Sequence, residues 1–335
     1  MKTLLTPFVL GVCSILTLGN PCQAGVVSFG SGANQFNMEF VTIGSPGNAA
    51  DTTGAPSPAG GVGYVYGIGK YEVSEVMIDK YNASQAGGVL QIAKNTRGPN
   101  KPATAVSWSE AARFVNWLNT SKGLHAAYKF TTQGVGDMIA NWSPVDVDDY
   151  DPLQPYRSKR ATFVLTNYNE FYKAAFYDIH KPGGPGYWNY ATGSDNAPVP
   201  VAFGTDAGTA VYKQWPYIGP ADVQAAGGLS PYGVMGLGGN VWEWLENNAN
   251  LMSWPNDPAR LIRGGDWITA LEYDSETSWL SSSYLRANPY DAKYGTIGFR
   301  VAMVTPSGGE VPEPSTMAIF SLGALGMVYR AQRQR

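Results

Sequence analysis

Cysteine is almost missing from this chain of 335 residues: it has two, Cys13 and Cys22, both within the first 24. Beyond that segment no disulfide, thiolate metal site or cysteine nucleophile can be built. Histidine is nearly as scarce. His125 and His180 are the only ones, so a three-histidine iron or zinc centre is excluded. Charged residues make up only 15% of the sequence, and residues 25–310 hold 19 Lys and Arg against 25 Asp and Glu. That acidic balance, with no basic stripe, argues against nucleic acid as a partner. A G-x-S-x-G elbow, a phosphate-binding glycine loop and an internal repeat are also lacking. The serine run Ser281–Ser283 has no positioned histidine base, which removes a hydrolytic triad.

What the chain has instead is 40 Gly, 23 Pro and 10 Trp. This mixture favours a loop-rich fold whose core is built from aromatics rather than long aliphatic helices. Apolar runs occur only at the two ends. Met1–Ala24 reads as a secretory signal peptide, with Lys2, an apolar stretch at Leu4–Leu18 and a small-residue cleavage site at Cys22-Gln23-Ala24. At the other end Pro312-Glu313-Pro314 precedes a 14-residue apolar run, Thr316–Tyr329, and then Arg330, Arg333 and Arg335. At ~1.5 Å per residue such a helix reaches roughly 21 Å, short for a bilayer core of about 30 Å. The 286 residues between, 25–310, fit one domain.

Within that domain the period of the apolar residues predicts a strand at Met38–Ile43, a second starting near Gly63 and a helix at Glu75–Ala83. Thr52–Gly61 is turn-rich and is expected to be an exposed loop. Ser107–Ser121 is the clearest helix: Ser107 and Glu110 form an S-x-x-E capping box, and Ala111, Phe114, Val115 and Leu118 share one face. A second capped helix begins at Asn167, with Glu170 as the capping acid rather than a catalytic one. The acidic run Asp146–Asp151 departs from the EF-hand pattern at Tyr150 and Asp151 and reads as a solvated loop. Trp242 and Trp244 alternate, which predicts one core-facing and one nearer the surface.

Six segments taken in order resemble the formylglycine-generating-enzyme (sulfatase-modifying factor) family. They are Gly69–Ser74, Ala105–Ala112, Leu165–Phe171, G-N-V-W-E-W at Gly239–Trp244, R-G-G-D-W at Arg263–Trp267 and G-F-R-V-A at Gly298–Ala302. The resemblance implies an α+β fold, the family's variant of the C-type lectin fold, with short strands, few helices and much irregular loop. The tail resembles a PEP-CTERM sorting signal, which implies the membrane protease exosortase as a processing partner. The organisation expected is a signal peptide at 1–24, the domain at 25–310 and the sorting signal at 311–335. Localisation would then be the cell envelope, cell surface or exterior of a Gram-negative bacterium, with transient inner-membrane anchoring by the C-terminal helix.

The resemblance also bears on chemistry. Catalytic members bind copper through two cysteines after the R-G-G-x-W segment, and those positions fall here on Thr269 and Asp274. Neither offers the soft thiolate that Cu(I) wants, so no copper and no formylglycine formation are expected. Family members further hold calcium at the G-N-V-W-E-W turn. Carried over, its ligands would be the carbonyls of Gly239 and Val241 and the Glu243 carboxylate. Gly236 takes the place of an Asp or Asn ligand, so a weakened ion and none at all both stay open.

These readings point to a secreted, surface-directed binding or structural protein on an inactive scaffold, with extracellular polysaccharide or a surface protein as partner. The ligand-binding candidates are Trp279, Tyr284, Arg286, Tyr290 and Asp291, within Ile268–Tyr294. An enzyme using metal-assisted chemistry through Asp266, Glu272, Asp274 and Glu276 is the alternative.

Overall fold

The computed structural model describes residues 25–306 apart from 86–87, 89, 132–138, 253–258 and 271–277. The expected signal peptide at 1–24, the sorting motif Pro312–Pro314, Asp274, Glu272 and Glu276 therefore lie outside the described residues. Within them the chain is α+β: three α-helices and short strands in several small sheets, joined by long irregular segments.

Two sheets organise the molecule. The first has the order Gly25–Phe29, Phe36–Ile43, Tyr66–Gly69, Val301–Met303 and Phe163–Leu165, with every pair antiparallel. It pairs strands from both ends of the described chain. Phe36–Ile43 shows why it forms: Phe36, Met38 and Phe40 are buried while Asn37 and Glu39 face water, a period of two. The second sheet runs Arg286–Asn288, Arg260–Arg263, Trp242–Asn248 and Ile297–Phe299, the last pair parallel. Arg300 lies between Ile297–Phe299 of the second sheet and Val301–Met303 of the first.

The helices form where their caps predict. Helix Trp108–Thr120 has the reciprocal box: Glu110 N–H donates to Ser107 Oγ at 3.2 Å, and Ser107 N–H donates to Glu110 Oε2 at 2.9 Å. Asn167 and Glu170 repeat the device for helix Tyr168–Phe176. Helix Glu75–Ser84 starts at Ser74 without a side-chain cap bond.

One expectation is corrected and a second refined. Trp242 and Trp244 are both buried, because residues two apart on a strand share a face and this strand is interior to its sheet. Trp244 donates its indole N–H to the Val106 carbonyl at 2.9 Å, while Trp242 packs against Trp279 and Tyr284. Thr52–Gly61 is an irregular loop exposed at Thr52, Thr53, Ser57 and Pro58 but anchored at its far end. Ala59 and Gly60 are buried, and a Cβ on Gly54 or Gly60 would collide with Tyr172. Arg263 donates to the Ala55 carbonyl at 2.6 Å, fixing this segment to the second sheet.

Candidate functional site

The turn at Gly238–Glu243 is shaped by residues in left-handed backbone. Gly239 (φ 88°) has no room for a side chain, since a Cβ would run into the Val211 carbonyl. Asn240 (φ 63°) is fixed by its amide, which accepts from Ala221 N–H at 2.8 Å and donates to Glu72 Oε1 at 2.8 Å.

Glu243, placed among the calcium ligands by resemblance, is committed elsewhere. Arg300 Nη2 lies 2.7 Å from its Oε1 and Arg300 Nε 3.0 Å from its Oε2, with both residues fully buried. The remaining Arg300 donors reach the carbonyls of Gly69 at 2.8 Å and Met235 at 2.7 Å. A guanidinium at this distance neutralises the carboxylate and repels a divalent cation. At the Gly236 position the space an Asp or Asn would need is filled by the Glu72 carboxylate. The described residues contain no group of three or more His, Cys, Asp or Glu able to hold a metal. Glu243 is thus paired with Arg300, which supplies a positive charge at this turn.

Glu72 is the third member of this cluster. Its Oε1 takes the Asn240 amide, its Oε2 has no hydrogen-bond partner, and burial pushes its pKa up to about 7. A second buried cluster repeats the pattern around Glu246, three residues along the same strand from Glu243. Arg157 lies 2.6 Å from Glu170 and 3.7 Å from Glu246, and burial raises Glu246 to about 7. Periodicity gave no signal for either cluster, because Glu72, Arg157 and Arg300 lie far apart in sequence.

On the outer side of the second sheet lies a cavity of about 290 Å³, lined by residues including Trp242, Asp266, Trp279, Arg286, Asn288, Tyr294 and Thr296. It brings together two of the five ligand-binding candidates, Trp279 and Arg286. Tyr284 stacks on Trp279 with ring centres 5.8 Å apart, backing the wall rather than lining it. Tyr290 and Asp291 do not line the cavity; the Tyr290 carbonyl instead accepts the Trp108 N–H at the start of helix Trp108–Thr120. Asn288, Tyr294 and Thr296 are lining residues that sequence patterns did not mark.

Thr269, which the resemblance sets at the first of the family's two cysteine positions, closes a turn with Asp266. Its hydroxyl donates to Asp266 Oδ1 at 3.0 Å and accepts from Asp266 N–H at 3.0 Å. Ile268 N–H donates to the same carboxylate at 3.2 Å. Burial raises the Asp266 pKa against these hydrogen bonds. Asp266 is thus a held acceptor at the cavity wall. Of the four carboxylates considered for metal-assisted chemistry, it is the one within the described residues.

The sulfatase-modifying factor enzyme 1-like domain matches residues 45–305, and the PEP-CTERM protein-sorting motif matches residues 310–334. Among solved structures, Treponema denticola variable protein 1 is similar at 16% identity and TM-score 0.51, covering 83% of this chain and 98% of that one. PvdO from Pseudomonas aeruginosa is similar at 17% identity and TM-score 0.48, covering 84% and 99%. CarF follows at 18% identity and TM-score 0.48, covering 80% and 98%. Among curated proteins no sequence matches. No helix of the described residues is long and apolar enough to cross a membrane.

Proposed function

The chain belongs to the sulfatase-modifying factor enzyme 1-like family and carries a PEP-CTERM sorting motif, and from that premise we propose that it is an exported, surface-directed binding protein without the family's oxidative chemistry. Its ligand in this reading is extracellular polysaccharide. The observation that carries it is the cavity at Asp266, Trp279 and Arg286. At about 290 Å³ it matches the low end of small-ligand sites, near 300 Å³, the scale of one or two sugar units. Trp279 and Tyr294 offer aromatic faces for the C–H face of a pyranose. Arg286, Asn288 and Thr296 offer donors and acceptors for hydroxyls, and Asp266 an acceptor held in place by Thr269.

Loss of chemistry is supported by the residues themselves. With no cysteine after Cys22, a thiolate copper site does not fit, and Thr269 is absorbed in a turn. The sorting motif supports exosortase as a processing partner and the envelope or cell surface as destination. A pull-down of labelled secreted polysaccharide by the full-length protein tests the reading. Capture that Arg286→Ala leaves undiminished would remove the cavity from it.

A further inference from the structure

The turn Trp215-Pro216-Tyr217-Ile218 carries aromatics that the core does not use. Trp215 is 58% exposed, Tyr217 85% and Ile218 45%. Ring centres of Trp215 and Tyr217 stand 6.5 Å apart with planes parallel to within 10°. Exposed aromatics grouped in this way on a soluble domain need a reason.

Their backbone is held to the functional face. Gln214 N–H donates to the Trp267 carbonyl at 2.7 Å and Lys213 N–H to the Thr269 carbonyl at 2.9 Å, so the turn springs from the same segment that positions Asp266. Ile218 N–H closes the turn on the Trp215 carbonyl at 3.0 Å. Beyond it, Arg97 lies against Gly219, donates to the Gly295 carbonyl at 3.0 Å and covers the Trp267 ring at 4.9 Å. Gly295 follows Tyr294, a 51% exposed wall of the cavity. One arginine thus ties the aromatic turn to the cavity rim.

We propose that Trp215 and Tyr217 form a second stacking platform that carries a polysaccharide chain onward from the cavity, with preference for gluco-configured pyranoses. This rests on the reading of the cavity as a glycan site. Two parallel rings on a closed turn offer flat faces of common orientation at little ordering cost, and Trp and Tyr need few side-chain angles fixed. Pyranoses whose hydroxyls are all equatorial present an unbroken C–H face to such rings, whereas an axial hydroxyl interrupts it. A protein partner fits less well. Two rings bury at most about 500 Å², while a stable protein interface needs on the order of 1,000 Å².

The test is native electrophoresis of the full-length protein in mild detergent through gels containing barley β-glucan or yeast mannan. The wild type is expected to be retarded by β-glucan more than by mannan. Trp215→Ala and Tyr217→Ala are each expected to weaken retardation roughly five- to tenfold, and Tyr217→Phe to retain it. These side chains are exposed, so melting temperatures should stay unchanged. Retardation equal to wild type in both alanine variants, or none in β-glucan, overturns the proposal. Arg286→Ala separates the two readings. If it alone abolishes retardation, the cavity stands and the platform fails; if the turn variants alone do, the cavity reading fails, and with it the proposal of a chain carried onward from the cavity.

Discussion

Arg300 grips Glu243 through both carboxylate oxygens, with its Nη2 2.7 Å from Oε1 and its Nε 3.0 Å from Oε2, in a place neither shares with water. The pair spans the junction between the two sheets. It makes the G-N-V-W-E-W turn and the G-F-R-V-A strand one unit, and it uses the charge that a metal ion would otherwise contribute.

Removing one partner strands the other in a dry interior. Glu243→Ala is expected to destabilise the protein by about 3–5 kcal/mol in denaturant unfolding. Glu243→Met combined with Arg300→Met should recover part of that loss. Chelator should leave the melting temperature unchanged, and a drop of several degrees on chelation would show that a metal ion supports this turn.

Stability should fall between pH 5 and pH 8. Glu72 faces Arg300 and Glu243, Glu246 faces Arg157, Glu170 and Arg260, and burial raises both carboxyls from 4.5 to about 7. The folded state then binds more protons than the unfolded one between those values. The stabilisation is complete below pH 4.5 and is lost as pH rises through about 7. A loss of roughly 2 kcal/mol is expected after allowing for relaxation. The double variant Glu72→Gln, Glu246→Gln should flatten the profile. Lys173 works the other way at higher pH: burial lowers it to about 8, so its contribution rises between there and 10.5.

The two capping boxes provide a local comparison. Ser107→Ala and Asn167→Ala should each cost about 1 kcal/mol in thermal or chemical unfolding. Glu170→Gln should cost more than Glu110→Gln. Glu170 also holds buried Arg157 at 2.6 Å, whereas Glu110 pairs with Lys293, which is partly exposed, at 2.7 Å.

Those caps were legible in the sequence because S-x-x-E and N-x-x-E act within four residues. The strand at Phe36–Ile43 and the family motifs were legible for similar reasons of local period and order. Partnership was not. Glu243 reads as a metal ligand when only its own motif is considered, and nothing near it announces Arg300, 57 residues on. One of Trp242 and Trp244 reads as nearer the surface until Trp279 and Tyr284 are seen to pack on Trp242. In the cavity, Trp279 and Arg286 come from one loop and could be singled out together. Asn288 reaches it through the register of the second sheet, Tyr294 and Thr296 through the turn that leads into Ile297–Phe299. Trp215 and Tyr217 come to this side through the backbone bonds of the preceding Lys213 and Gln214 to Thr269 and Trp267.

Titration calorimetry of the full-length protein against purified polysaccharide secreted by its own host, with mass analysis of the recovered glycan, tests binding without chemistry most directly. Saturable binding is expected for the wild type, weakened roughly tenfold by Arg286→Ala and by Asp266→Asn, with the glycan recovered unaltered. Equal affinity in wild type and both variants, or a cleaved or oxidised glycan, would contradict the account.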